Sequence, residues 1–141
     1  MIGKVLLDTG PLIALFDRCD KHHVWATAQF DQILPPLLTC EAVLAEACYL
    51  APRAGRSAEE PLLLLERGAL RLAFDLKDNF LEVSALMKRY ASVPMALADA
   101  CLVRMSELVD ESVVLTFNGD FRIYRRHNRQ KIPVLLPVIK R

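Results

Sequence analysis

The chain has 141 residues, 53% of them hydrophobic and 25% charged, with a formal net charge of +1. This is the length and apolar content of one ordinary domain with its own core, which excludes a disordered chain and a disulfide-stapled mini-fold. Asp8, Asp17 and Asp20 interrupt the apolar start, so no run is long enough for a membrane span.

Residues 5–7 read as a short buried strand, followed by a turn at Asp8-Thr9-Gly10-Pro11 with Pro11 at the first position of a helix. A second helix is predicted over 22–33, stopped by Pro35-Pro36, and Leu37-Leu38 reads as a strand. Thr39 is placed to cap a helix over 40–51. A loop over 52–57 leads to a helix of about ten residues that ends near Gly68, then a strand over 70–74. Residues 78–90 form an amphipathic pattern with Lys88 and Arg89 at its end, and Pro94 is read as the start of a helix to about Leu108. Strands follow at 113–116 and 134–136. Apolar strands alternating with helices imply a mostly parallel sheet covered on both faces, with ligands beyond the carboxyl ends of its strands.

Charge is uneven. Residues 1–119 carry 11 basic and 16 acidic side chains, whereas residues 120–141 carry seven basic and one acidic. Arg122, Arg125, Arg126, Arg129, Lys131, Lys140 and Arg141 form a block that can attract a polyanion or simply be solvated. Cys19, Cys40, Cys48 and Cys101 show no zinc spacing and read as reduced thiols. Residues 5–7 are too short an apolar run for an export signal, so the expected compartment is the cytoplasm. There is no glycine-rich phosphate loop, and His22, His23 and His127 make no acid–base pair.

Four acids break the apolar pattern. Asp8 closes the first strand, where a helix N-cap is its plainer role. Glu46 falls on a helical stripe with Val43 and Leu50; a carboxylate there must be paired, protonated or metal-bound unless it reaches water from the rim. Asp99 is the sole charge in residues 93–103, and its helical neighbours Met95, Ala96, Leu102 and Val103 are apolar. Read as a mid-helix residue, it needs a distant arginine or a cation. Asp120 follows the strand over 113–116, although Asn118-Gly119 before it also suits a hairpin turn. Asp8 and Asp120 both follow buried strands and fall at one sheet edge; Glu46 and Asp99 fall in early turns of helices leaving that edge. Two like charges about 4 Å apart repel by about 4 kcal/mol at an effective dielectric of about 20. A divalent cation among them offsets that repulsion. All-oxygen donors suit Mg2+ or Mn2+, and such a site suits phosphodiester hydrolysis.

The ordered set LLDTGP (6–11), TCEAVLAEA (39–47), MALADA (95–100) and LTFNGDF (115–121) resembles the PIN domain, and within it a VapC-type toxin ribonuclease. The resemblance covers essentially the whole chain as a single domain. It implies a three-layer α/β/α sandwich, Mg2+- or Mn2+-dependent endoribonuclease activity on RNA, a homodimer and a small inhibitory antitoxin protein. By position, Asp8, Glu46 and Asp99 match the core acids, with Thr9 and Thr116 as supporting hydroxyls. Where many relatives carry an acid, this chain has Asn118; either Asp120 supplies a fourth carboxylate or the site runs on three acids. All four acids, Asp8, Glu46, Asp99 and Asp120, are expected at the metal: Asp8 and Asp99 bind it directly or through water, and Glu46 and Asp120 orient its waters. Arg122, Arg125, Arg126 and Arg129 are candidate holders of the RNA backbone, with Arg53 and Arg56 as further candidates. Two other readings stay open: a non-catalytic interaction module on the same fold, and a stand-alone RNA-processing nuclease without an antitoxin.

Overall fold

Val5, Leu6 and Leu7 carry no polar side chain, and all three are fully buried. In the computed structural model, which describes residues 1–138, they form β1 (Val5–Leu7) at the centre of a sheet. The helices in chain order are α1 (Thr9–Phe16), α2 (His23–Gln32), α3 (Glu41–Leu50), α4 (Glu60–Glu66), α5 (Leu76–Arg89) and α6 (Leu97–Leu108). The other strands are β2 (Leu37–Thr39), β3 (Leu70–Leu72), β4 (Val113–Leu115), β5 (Arg125–Arg126), β6 (Gln130–Lys131) and β7 (Val134–Leu135). The sheet has the order β3-β2-β1-β4-β7, and every neighbouring pair is parallel. β5 and β6 form a separate antiparallel ribbon.

The pleat explains the layers. Leu6, Leu38 and Val114 face a core shared with Val83 and Leu86 of α5 and Leu102 and Met105 of α6. Val5, Leu7, Leu37 and Leu115 face the opposite core, with Leu12 of α1 and Leu44 and Ala47 of α3. β1, β2 and β4 are therefore apolar on both faces, and the result is the expected three-layer α/β/α sandwich.

Several boundaries differ from the sequence reading. α1 begins at Thr9, because Asp8 caps it, and Pro11 sits in the third helical position. Cys40, not Thr39, is the N-cap residue of α3. Thr39 is fully buried and donates its hydroxyl to Leu7 O at 2.9 Å, so it ties β2 to β1 instead. α6 begins three residues after Pro94, because Ala96 has extended backbone (ψ 161°). Asn118-Gly119 opens a 3-10 turn (Gly119–Arg122) rather than a hairpin, since the Asn118 Oδ1 accepts the Asp120 amide at 3.0 Å. The short β5–β6 ribbon has no apolar alternation and was not expected. Lys140 and Arg141 of the basic block lie outside the described residues. No described helix is long and apolar enough to cross a membrane.

Leu6 is fully buried in the central strand, whereas Leu72 on edge strand β3 is 40% exposed. Leu6→Ala should lower unfolding free energy by about 2–5 kcal/mol in a denaturant titration, and Leu72→Ala by about 1 kcal/mol or less.

Candidate active site

The strand order runs outward in both directions from the β1–β4 pair, so the sheet's switch point lies between these two strands. Asp8 follows β1 and Thr116 follows β4, and both side chains are buried. Asp8 is the N-cap of α1: its Oδ1 accepts the Thr9 amide at 2.8 Å. Its Oδ2 accepts the Thr116 hydroxyl at 2.7 Å. The same Thr116 oxygen accepts the Asn118 amide at 2.9 Å. Both strand ends are thus joined by a polar chain from Asn118 through Thr116 to Asp8.

Asp99 occupies the third position of α6, where its Oδ2 accepts the Ala96 amide at 3.0 Å. This corrects the mid-helix reading: Asp99 is half-buried in a first turn, where the helix N-terminus favours a negative charge. Glu46 takes the rim position that the sequence left as the alternative to a buried stripe. It is exposed, since the buried stripe of α3 is Val43, Leu44 and Ala47. Its Oε2 still accepts the Thr9 hydroxyl, at 3.3 Å.

Asp8, Glu46 and Asp99 line one cavity of about 390 Å³, together with Thr9, Asn118 and Phe117. Gly10 and Ala96 complete its wall. Asp120 does not line it; its charge acts on Asp99 from the adjoining turn. Asn118, whose side chain favours the ionised form of Asp99, takes the place facing that acid. The cavity wall thus carries three acids and the neutral amide of Asn118, with Asp120 in the turn beside it.

Burial pushes the Asp8 carboxyl up from 3.8 to about 6; the Thr116 and Thr9 hydrogen bonds oppose this, and the charges of Asp99 and Glu46 add to it. Asp99 is also raised, first by burial, against the Ala96 amide and Asn118, with Glu46 and Asp120 adding repulsion.

Among the described residues no lysine or arginine lines this cavity. Among the described residues the ion pairs are Arg56–Glu60 and Arg104–Glu107, so neither engages the three acids. Also among the described residues, no three His, Cys, Asp or Glu side chains form a ready-made metal cluster. The expectation of four carboxylates crowded around an ion is corrected accordingly: three acids face a shared open space. The donor chemistry nevertheless fits a hard cation that retains water, because the cavity offers carboxylate, hydroxyl and amide oxygens and neither sulfur nor imidazole.

The predicted basic surface is dispersed. Arg125 donates through Nη1 to the carbonyls of Arg122, Ile123 and Tyr124, which makes it a brace for the 3-10 turn. The β5–β6 turn is fastened to the far helix pair, with His127 N donating to Glu107 and Arg89 to Asn128 O. Arg126 is half-buried, and Arg129 is exposed on this ribbon. Arg53 stacks on Tyr49, and Arg56 donates to Phe16 O. Arg122 is exposed and lines a neighbouring cavity. Sequence reasoning missed Gly10 and Phe117. A Cβ on Gly10 would stand 2.8 Å from the Phe117 ring, so the glycine is what lets that ring close over α1. An aromatic residue between Thr116 and Asn118 was the available signal.

A family model for the PIN domain matches residues 5–126. The chain belongs to the PIN domain family. No curated protein matches it. The match spans β1 through β5 and therefore contains every cavity acid. PIN domains are commonly nucleases and typically use divalent metal ions, which agrees with the donor set of this PIN domain.

The raised Asp8 pKa has a stability consequence. With 3.8 unfolded and about 6 folded, the contribution of protonated Asp8 is complete below pH 4 and is lost as pH rises through about 6. Metal-free protein should therefore lose up to about 3 kcal/mol through Asp8 between pH 4 and 7. Denaturation midpoints at both pH values test this: Asp8→Asn should flatten the loss, and a divalent cation should reverse it only in the parent chain.

Proposed function

We propose that this chain is a Mg2+- or Mn2+-dependent endoribonuclease that hydrolyses RNA phosphodiester bonds. The observation that carries this reading is the convergence of Asp8, Glu46 and Asp99 on one cavity, with no basic side chain on its wall among the described residues. A bound divalent cation would supply Lewis-acid charge that activates water and offsets the charge developing on the phosphate.

The chain's own groups divide the remaining work. Asp8 and Asp99 would hold the cation. Asp8 is the fixed member, locked by the Thr9 amide and the Thr116 hydroxyl. Asp99 is held at the start of α6 by the Ala96 amide. Glu46 is exposed and restrained only by the Thr9 hydroxyl, which suits accepting a proton from the attacking water. Attack on phosphorus breaks the bond to the 3′-oxygen, leaving a 5′-phosphate and, after proton uptake, a 3′-hydroxyl. Asp120 acts from the turn on the charge of Asp99.

The finer assignment extends the motif order: the toxin half of a VapBC-type pair, a cytoplasmic homodimer restrained by a small antitoxin. What supports it is the series of four motifs running in one order along the chain. A small open reading frame beside the gene, whose product binds and inhibits this chain, would support it; cleavage unaffected by any such product would favour a stand-alone nuclease.

The chain should cleave single-stranded RNA with Mn2+ and not with EDTA. Asp99→Asn should reduce the rate by about 100-fold or more. Its unfolding free energy should change by about 1 kcal/mol or less, because an asparagine oxygen can still accept the Ala96 amide. A cleavage rate untouched by this substitution, or no cleavage with Mn2+, would overturn the nuclease reading in favour of an interaction module.

A further inference from the structure

A second cavity adjoins the first through one side chain. Phe117 lines the carboxylate cavity and also a cavity of about 480 Å³ walled by His22, Leu136, Pro137 and Val138, with Arg122 the one lysine or arginine on its lining among the described residues. This volume lies in the usual range for small-molecule sites. The Phe117 ring is held firmly. Bare Gly10 backbone lies against it, the His22 ring centroid is 4.7 Å away, and that of Trp25 is 5.8 Å away. The Arg122 guanidinium has no hydrogen-bond or ion-pair partner among the described residues, whereas Arg125 next to it has three backbone acceptors.

We infer that this cavity is a subsite for one unpaired RNA base adjacent to the scissile phosphate, with Phe117 as the stacking face and Arg122 as the contact to a flanking phosphate. The inference rests on the nuclease reading above and adds to it where the substrate lies. Three features choose a nucleotide as the occupant. The aromatic face and apolar wall suit the π-face of a base; the single arginine suits a phosphate; and the shared Phe117 wall puts both beside the acids. Stacking tolerates any base, so sequence preference would depend on the edge contacts available from His22 and the bare backbone of Gly119.

Trp25 is the chain's one tryptophan, and its proximity to Phe117 makes its fluorescence the readout. Homotetraribonucleotides of A, C, G and U are titrated into the full chain in EDTA, beside a base-free tetraribose phosphate. At least one base-bearing tetramer should bind about tenfold more tightly than the base-free backbone. Phe117→Leu should remove most of that preference. Arg122→Ala should weaken base-bearing and base-free probes alike, as loss of a phosphate contact does. Gly119→Leu, which fills the cavity without changing Phe117 or adding a second tryptophan, should also remove the preference and stands in should Phe117→Leu fail to fold; a Cβ at Gly119 meets no heavy atom within 4 Å. Equal affinity for the two kinds of probe, no binding of either, or a preference that survives both cavity variants would overturn the subsite. RNA cleavage with Mn2+ alongside any of these results leaves the nuclease reading standing. Base-dependent binding without cleavage would instead leave a nucleotide site and remove the nuclease.

Discussion

Three negative side chains face one another at the carboxyl edge of the sheet, and the surrounding architecture holds them there. Asp8, Glu46 and Asp99 come from β1's end, α3 and α6; the charges of Asp99 and Glu46 raise the proton affinity of Asp8, and that of Glu46 raises the proton affinity of Asp99. The described residues supply no lysine or arginine to the cavity wall. They supply weaker, fixed dipoles. Asp8 sits at the N-terminus of α1 and Asp99 in the first turn of α6, where unpaired amides give a partial positive charge. Thr9, Thr116 and Asn118 add neutral donors. This is enough to fold the chain with its acids adjacent and leaves an unmet demand for positive charge.

The parallel sheet makes the arrangement possible. Only at a switch point do two neighbouring strands release chain to opposite sides, which opens a crevice between the following loops. β1 and β4 are those strands, and the Asp8–Thr116 hydrogen bond crosses between their ends. Beneath it, Val5, Leu6, Leu7, Val114 and Leu115 are entirely buried, so the strand ends have little freedom to move apart.

The layered fold was legible because β1, β2 and β4 are short, apolar on both faces and separated by helical stretches. Asp8 was legible because it directly follows β1. Asp99 was placed in the right region for an incomplete reason: Pro94 was taken as the helix start, yet the extended backbone at Ala96 delays α6 and turns a supposed interior acid into a first-turn residue. For Glu46 the sequence leaves open a buried stripe or a rim that reaches water; packing gives the stripe to Val43, Leu44 and Ala47 and leaves Glu46 the rim. The arginine-rich end shows the limit of composition. Charge density gave no hint that Arg125 would spend its donors on three carbonyls, nor that the β5–β6 turn would be fastened to α5 and α6. Such contacts depend on where the backbone ends up, and no periodicity records that.

The hydrogen bond between Asp8 and Thr116 joins residues 108 positions apart. During synthesis all three acids leave the ribosome before β4 exists to complete their frame. A nascent chain halted after α6 would carry Asp8, Glu46 and Asp99 but neither the Thr116 hydroxyl nor the Phe117 and Asn118 wall. The cavity is therefore completed late, by the docking of one strand, and whatever the three acids are to hold must wait for it.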